Sequence, residues 1–409
     1  MLSPRMLYRY LATSTAVLRS PASQHLSATF RTSRSATVAP YSIHLQQHFR
    51  RELSILTGHN HNVDSAVEED SSGKEGGNES VAMGDQGIIP QESFEGKIVP
   101  LGPDFSVRRI LPFRKQRSLG PFVFLDHFGP VLISEHAMNV GPHPHIGLMT
   151  ISYLFEGAVL HRDSTGAEQI VLPGEVNGMI SGKGVTHSER GLLEDLQPHL
   201  DARNVPAPTG SHGLQLWMAL SKDGEDCEPS FHHGKAVSID SHATLVVGNS
   251  NGLTQSSIPI DPKLGRVFYV DTHFENANDS FILEGPGGQH DYNYPSIEVG
   301  VYVSTGKMKF LSGWGSLDGQ IVEPGSMVTA KAGATEIKAK IQALEGDTRV
   351  AILGGTPLPE KRHMFWNFVS AGKEKLDAAT KAWDELDRSI FPKVVNEAND
   401  DSIPLPKRK

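Results

Sequence analysis

Fifty residues, from Gly141 to Arg190, constrain this chain more than any other stretch. They open with His143-Pro144-His145 and close with His187-Ser188-Glu189. Each pair is spaced i, i+2, and a strand sends alternate side chains to opposite faces, so both members of a pair share one face. Between the pairs, Ile151, Tyr153 and Phe155 alternate with Ser152 and Leu154; Gly157 ends the run and Ala158-Val159-Leu160 resumes it. Asp163-Ser164-Thr165-Gly166 reads as a hairpin turn and Pro173-Gly174-Glu175 as a second. A last strand folded back beside the first brings three imidazoles and a carboxylate together. The expectation is a mononuclear metal site with ligands His143, His145, His187 and Glu189 and open positions facing them.

Pro142 and Pro144 remove backbone donors and hold His143 extended, which suits a sheet edge rather than a central strand. A second H-x-H, His59-Asn60-His61, lies in a polar linker and reads as incidental. The answering H-x-E and the strand-turn pattern on both sides set the later pair apart.

At these residues the chain resembles the metal-binding half of the pirin family, a branch of the cupin superfamily. The matching pieces are "PHPHIG", "TISYLFEGAVLHRDS", "PGEVNGM" and "GKGVTHSER". Similarity runs from about Ser106 to Trp383 and includes "PFVFLDHFGP", "GLQLWMAL", "GTPLP" and "WNFVS". Carried over by position, the pirin-type ligands are again His143, His145, His187 and Glu189. Two positions depart from the family pattern. Met149 stands where many cupins place a ligand glutamate, and Gly178 stands where pirins usually carry an aromatic, which is expected to widen the pocket.

The second half echoes the first without its chemistry. "VYVSTGKMKF" repeats "SYLFEGAVLH", and Pro324-Gly325 repeats Pro173-Gly174. Two motifs with nearly the same shift predict a duplicated β-barrel. His290 is a lone histidine, read as a loop residue, so the second copy is expected to lack a metal site, an asymmetry that the resemblance also implies. The predicted fold is all-β, with two tandem cupin-type β-barrels (a bicupin) and a C-terminal helix. In that helix Leu376, Ala379, Trp383 and Leu386 make one apolar stripe, of which Trp383 and Leu386 are to dock on the barrel.

Forty Gly and 26 Pro with 7% aromatic residues suit a turn-rich β protein. Residues 1–51 hold seven Arg and no Lys, Asp or Glu. Subtracting this +7 from the overall −9 leaves −16 on the remainder, too acidic to bind nucleic acid directly. The single cysteine, Cys227, excludes an intrachain disulfide framework and a thiolate-rich metal centre. No apolar run reaches the ~20 residues that span a bilayer. The Arg-, Ser- and Ala-rich start, without an acid before Glu52, has the composition of an organellar transit peptide, mitochondrial rather than plastid; a cytoplasmic or nuclear chain with a basic tail is the alternative.

The expected organisation is a transit peptide over 1–55, a disordered linker over 56–95, a metal-binding first domain over 96–222, a second domain with its docking helix over 223–392, and a flexible tail over 393–409. Residues 191–212 read as a loop over one end of the first barrel, and His232-His233 as a solvated pair in the bridge between domains. Asp126 and His127 are candidates for the pocket rim or for orienting a ligand imidazole, with a turn-capping role for Asp126 as the plain alternative.

Three imidazoles and a carboxylate suit Fe, Mn, Ni, Cu or Zn; resemblance to pirins favours one iron, Fe(II)/Fe(III). Some pirin-like proteins cleave flavonols such as quercetin with O₂, so the resemblance implies a dioxygenase taking a small aromatic or enediol substrate, with Glu189 as the catalytic base. The alternative is a non-enzymatic iron or redox sensor that binds a regulatory protein partner. Duplication within one chain supplies a barrel pair, so a monomer is expected.

Overall fold

Alternation of apolar and polar residues along short strands produces two β-barrels, each a long sheet packed on a short one. This computed structural model describes residues 88–407 except 102–104, 134–137, 286–295, 334–336 and 398–400. The expected transit peptide, His59, His61 and His290 lie outside the described residues.

Strands β1 (Ile89–Glu95), β2 (Lys97–Pro100), β3 (Ser106–Leu111) and β4 (Phe122–Leu132) come first. The histidine-bearing stretch supplies β5 (Asn139–His145), β6 (Leu148–Glu156), β7 (Val159–Asp163), β8 (Glu168–Val171), β9 (Glu175–Ile180) and β10 (Val185–Arg190). Helix α1 (Leu193–Ala202), β11 (Gly210–Ala219) and β12 (Ser230–Lys235) follow. The long sheet of the first barrel runs β12-β9-β6-β11-β4-β3-β2, and the short one β5-β10-β7-β8.

The second barrel is formed by β13 (Val237–Ser238), β14 (Ala243–Ser250), β15 (Leu253–Gln255), β16 (Val267–Phe274), β17 (Ser280–Glu284) and β18 (Ser296–Thr305). It continues through β19 (Met308–Ser312), β20 (Ile321–Val322), β21 (Ser326–Gly333), β22 (Lys338–Ala343) and β23 (Thr348–Gly355). Its sheets run β1-β21-β18-β23-β16-β14-β13, with β15 on β14, and β17-β22-β19-β20. The triplet β21-β18-β23 matches β9-β6-β11 of the first barrel, which is the duplication that the motif shift implies. Gly174 and Gly325, at equivalent turns, share a left-handed φ of 82° and 81°, a conformation glycine adopts without steric cost.

The two long sheets face each other. Met149, Ile151 and Tyr153 of β6, with Leu214 and Leu216 of β11, meet Tyr269 of β16, Tyr302 of β18 and Leu353 of β23 in one shared apolar core. A separate core of Phe281, Phe310, Trp314 and Ile341 fills the second barrel. That interior is occupied by apolar side chains where the first barrel carries histidines.

Several boundaries differ from expectation. β1 falls inside the predicted linker yet pairs with β21, so the first described strand belongs to the second barrel's sheet. β12 pairs with β9 and belongs to the first barrel. His232 and His233 are therefore half-buried strand residues, not a solvated loop pair, and His233 bonds Asn177 at 2.7 Å. Residues 191–212 contain α1, whose Leu196 and Leu200 are fully buried, instead of being loop throughout.

The chain then returns to the first barrel. Hairpin β24 (His363–Phe365) and β25 (Phe368–Ser370) precedes α2 (Lys373–Asp384), which buries Leu376, Ala379, Ala382 and Trp383. Leu386 does not join them. It lies past the helix end with φ 55° and 56% exposure, because the Asp387 N–H closes on the Ala382 carbonyl and turns the chain away. The described residues of 393–407, expected to be a flexible tail, lie along the first barrel. Glu397 meets Ser188 and Arg190, both partners of this ion pair being nearly buried, and the Ile403 N–H bonds the Pro142 carbonyl at 2.8 Å.

Candidate metal centre

β5 lies at the edge of the short sheet beside β10, and the antiparallel register sets His187 opposite His143 and Val185 opposite His145. That edge is where proline is tolerated, since Pro142 and Pro144 offer no ladder donor. Ring centroids are 4.2 Å apart for His143–His187, 4.9 Å for His145–His187 and 5.1 Å for His143–His145. One nitrogen from each ring falls within 4.8 Å of the others. Their exposures are 6%, 1% and 0%.

Hydrogen bonds determine which nitrogen each ring has free. His143 Nδ1 lies 2.9 Å from the Gly141 carbonyl and His145 Nδ1 lies 3.0 Å from the Asn367 carbonyl. A carbonyl only accepts, so both protons sit on Nδ1 and both Nε2 atoms keep a lone pair. His187 Nε2 is buried with no hydrogen-bonding partner among the described residues. Burial holds all three rings neutral: His143 is lowered to about 4, and His145 and His187 well below the usual imidazole value. Three neutral imidazoles with bare, converging nitrogens form a donor set that fits a divalent transition metal.

Glu189 is placed differently. It shares a face with His187 two residues on, but the register with β5 breaks between them, and its carboxylate is not part of the three-histidine group. Gln215 Nε2 donates to it at 3.0 Å, and Gln215 Oε1 accepts from Ser152 at 2.8 Å. Burial pushes the Glu189 carboxyl up, offset in part by His161, Gln215 and Ser152.

Two family models match this chain, one described as Pirin over residues 104–218 and one as the Pirin C-terminal cupin domain over 284–388. A pirin-like protein of Caulobacter vibrioides is 35% identical over 324 residues, which is 77% of this chain and 98% of that protein. The chain belongs to the pirin family. A putative quercetin 2,3-dioxygenase of Pseudomonas aeruginosa is 30% identical to this pirin over 292 residues, 70% of this chain and 81% of the other. The crystal structure of a quercetin 2,3-dioxygenase from Acinetobacter baumannii aligns with it at TM-score 0.63 and 27% identity, covering 78% of this chain and 96% of that one. The two barrels of this pirin are cupin-type domains, as the sequence led us to expect.

The departures from the family pattern fall outside the site. A Cβ on Gly178 would meet Ile258 at 3.1 Å and the Met149 sulfur at 3.6 Å, so both positions face the core between the barrels and neither shapes a pocket at the histidines. His127 is likewise elsewhere, whereas Asp126 stands directly opposite Gln215 and shares its inward face. Asp126 accepts two bonds from Arg109, and His127 joins Tyr302 and His212 at 2.7 Å each. Neither orients a ligand imidazole, and Asp126 caps no turn, since β4 continues to Leu132.

Sequence reasoning passed over four groups at the centre. His161 touches His187 Nδ1 at 3.3 Å and is bonded to Asp163. Gln215 holds Glu189, and Trp217 sets its ring edge-on to His145 with centroids 5.1 Å apart. Alternation in "GLQLW" already separates Leu214 and Leu216 from Gln215 and Trp217, so the last two were legible as inward-facing.

Proposed function

We propose that this pirin binds one divalent transition metal, iron by family resemblance, through His143, His145 and His187, and that it is a dioxygenase of the flavonol type. The observation that supports it is the convergence of one nitrogen from each of three buried imidazoles, with His143 and His145 bonded through Nδ1 and His187 Nε2 unpartnered among the described residues. A bound iron would supply Lewis acidity toward vicinal substrate oxygens and electron exchange with O₂. The protein's part is to hold that face dry and fixed. Glu189 either adds a fourth ligand oxygen or takes the proton of a substrate hydroxyl; its raised affinity for protons suits the second task. Gln215 donates to one carboxylate oxygen and so orients the other.

The test compares the full chain with His187→Ala and Glu189→Gln. We expect about one metal per chain, lost in His187→Ala and largely kept in Glu189→Gln, with O₂ uptake on quercetin abolished in both. Metal retained by His187→Ala rejects the site, and uptake by Glu189→Gln equal to wild type rejects the base.

Near-complete burial of the three imidazoles also fits a second reading, a redox sensor that presents an outer surface to a protein partner. Metal without any O₂ uptake, and partner capture that differs between Fe(II) and Fe(III), would favour it. A mitochondrial destination is part of the proposal and is tested by fusing residues 1–55 to a fluorescent reporter.

A further inference from the structure

We propose that Asp163 and His161 are positioning residues that set the tautomer of His187, an inference that rests on the three-histidine reading of the metal centre. β7 pairs with β10 so that Asp163 stands opposite His187 and His161 opposite Glu189. Both residues are buried, at 0% and 4% exposure. Asp163 Oδ1 accepts from the Thr165 N–H at 2.8 Å, the Thr165 hydroxyl at 2.7 Å and the Ala167 N–H at 3.2 Å, which fixes the carboxylate in its turn. The other oxygen, Oδ2, faces His161 Nε2 at 2.9 Å. A carboxylate offers only lone pairs, so the His161 proton sits on Nε2 and Nδ1 is left bare.

That bare Nδ1 lies 3.3 Å from His187 Nδ1 and accepts its proton. The His187 Nε2 lone pair is thereby freed, and this is the buried atom that no described residue satisfies. Reversing the polarity would set two lone pairs against each other and bury a donor with no acceptor. Phe231 stacks on the His161 ring at 4.5 Å and holds the geometry. His143 and His145 have their tautomers set by single carbonyls, whereas His187 has its tautomer set by a carboxylate acting through a second imidazole. Such outer partners orient ligand rings and tune the metal.

The proposal is tested on the full chain in two arms. First, metal-free protein labelled with ¹⁵N-histidine reports the His187 tautomer by long-range ¹H–¹⁵N correlation, its signals identified by their loss in His187→Ala. We expect the proton on Nδ1 in wild type. Asp163→Asn keeps the acceptor at Oδ1 but puts an amide donor toward His161, which moves the His161 proton to Nδ1 and the His187 proton to Nε2. An unchanged His187 tautomer in Asp163→Asn overturns the proposal. Second, titration with Co(II) should show binding weakened about 10- to 100-fold in Asp163→Asn, with a shifted visible spectrum. His161→Asn, which can still accept from His187, should bind more tightly than His161→Leu. Equal Co(II) affinity in wild type and Asp163→Asn, with binding lost in His187→Ala, removes the positioning role and leaves the metal centre standing. A tautomer flip in a chain whose wild type takes no metal would support the relay and reject the metal reading instead.

Discussion

His145 donates its Nδ1–H to the backbone carbonyl of Asn367, 3.0 Å away and 222 positions later in the chain. A residue that follows the whole second barrel thus sets the tautomer of a histidine in the first. The bond is held by the hairpin of β24 and β25, where Phe368 forms a parallel bridge to Ile146 directly after His145.

Phe368 is fully buried against Ile146, Trp383 and Phe391. Phe368→Ala should lower stability by roughly 3–5 kcal/mol and, by releasing the Asn367 carbonyl, weaken metal binding by about tenfold. Denaturant unfolding and metal titration on the same preparation check both effects. Full metal affinity in a destabilised variant would separate the hairpin from the centre.

Gly178 packs toward Ile258 between the barrels. Introducing an aromatic there, as Gly178→Phe, should cost about 1–3 kcal/mol by overpacking and leave metal stoichiometry unchanged. A change in metal content with unaltered stability would return this position to the pocket.

Acid should destabilise the metal-free protein. Burial, reinforced by His212 and Arg108, lowers His127 to about 3; burial and Arg349 lower His212 to about 4. Unfolded, both bind protons near the ordinary imidazole value of about 6.5. Between those limits the unfolded chain holds more protons, so the stabilisation is complete above about 6.5 and is lost as pH falls toward 4. Each group contributes up to about 1.4 kcal/mol per pH unit. Thermal unfolding at stepped pH should show a falling midpoint from pH 7 to 5, with a shallower slope in the His127→Gln, His212→Gln double variant.

The candidate histidines were legible because i, i+2 spacing on a strand puts both members of a pair on one face, a local rule; the register break that sets Glu189 apart was not. The duplication was legible for a similar reason, as it shows in turn glycines and tyrosines at matched offsets. His161 and Asp163 were passed over although both stand in the quoted "VLHRDS". Their role depends on β7 lying beside β10, and pairing partners are not encoded in either strand alone. β1 was missed because an edge strand with a single buried residue, Phe94, has the composition of a linker.

By itself, then, the sequence determined the strands, the repeat and the shared face of His143 and His145, which follow from side-chain type, short-range periodicity and matched motif offsets. Tertiary structure alone decided which nitrogen His145 and His187 leave free, the separation of Glu189 from the histidine group, and the return of the C-terminal segment to the first barrel. Those depend on partners far apart in the chain, such as the 222 positions between His145 and Asn367, and a contact at that separation exists only once the sheets have closed.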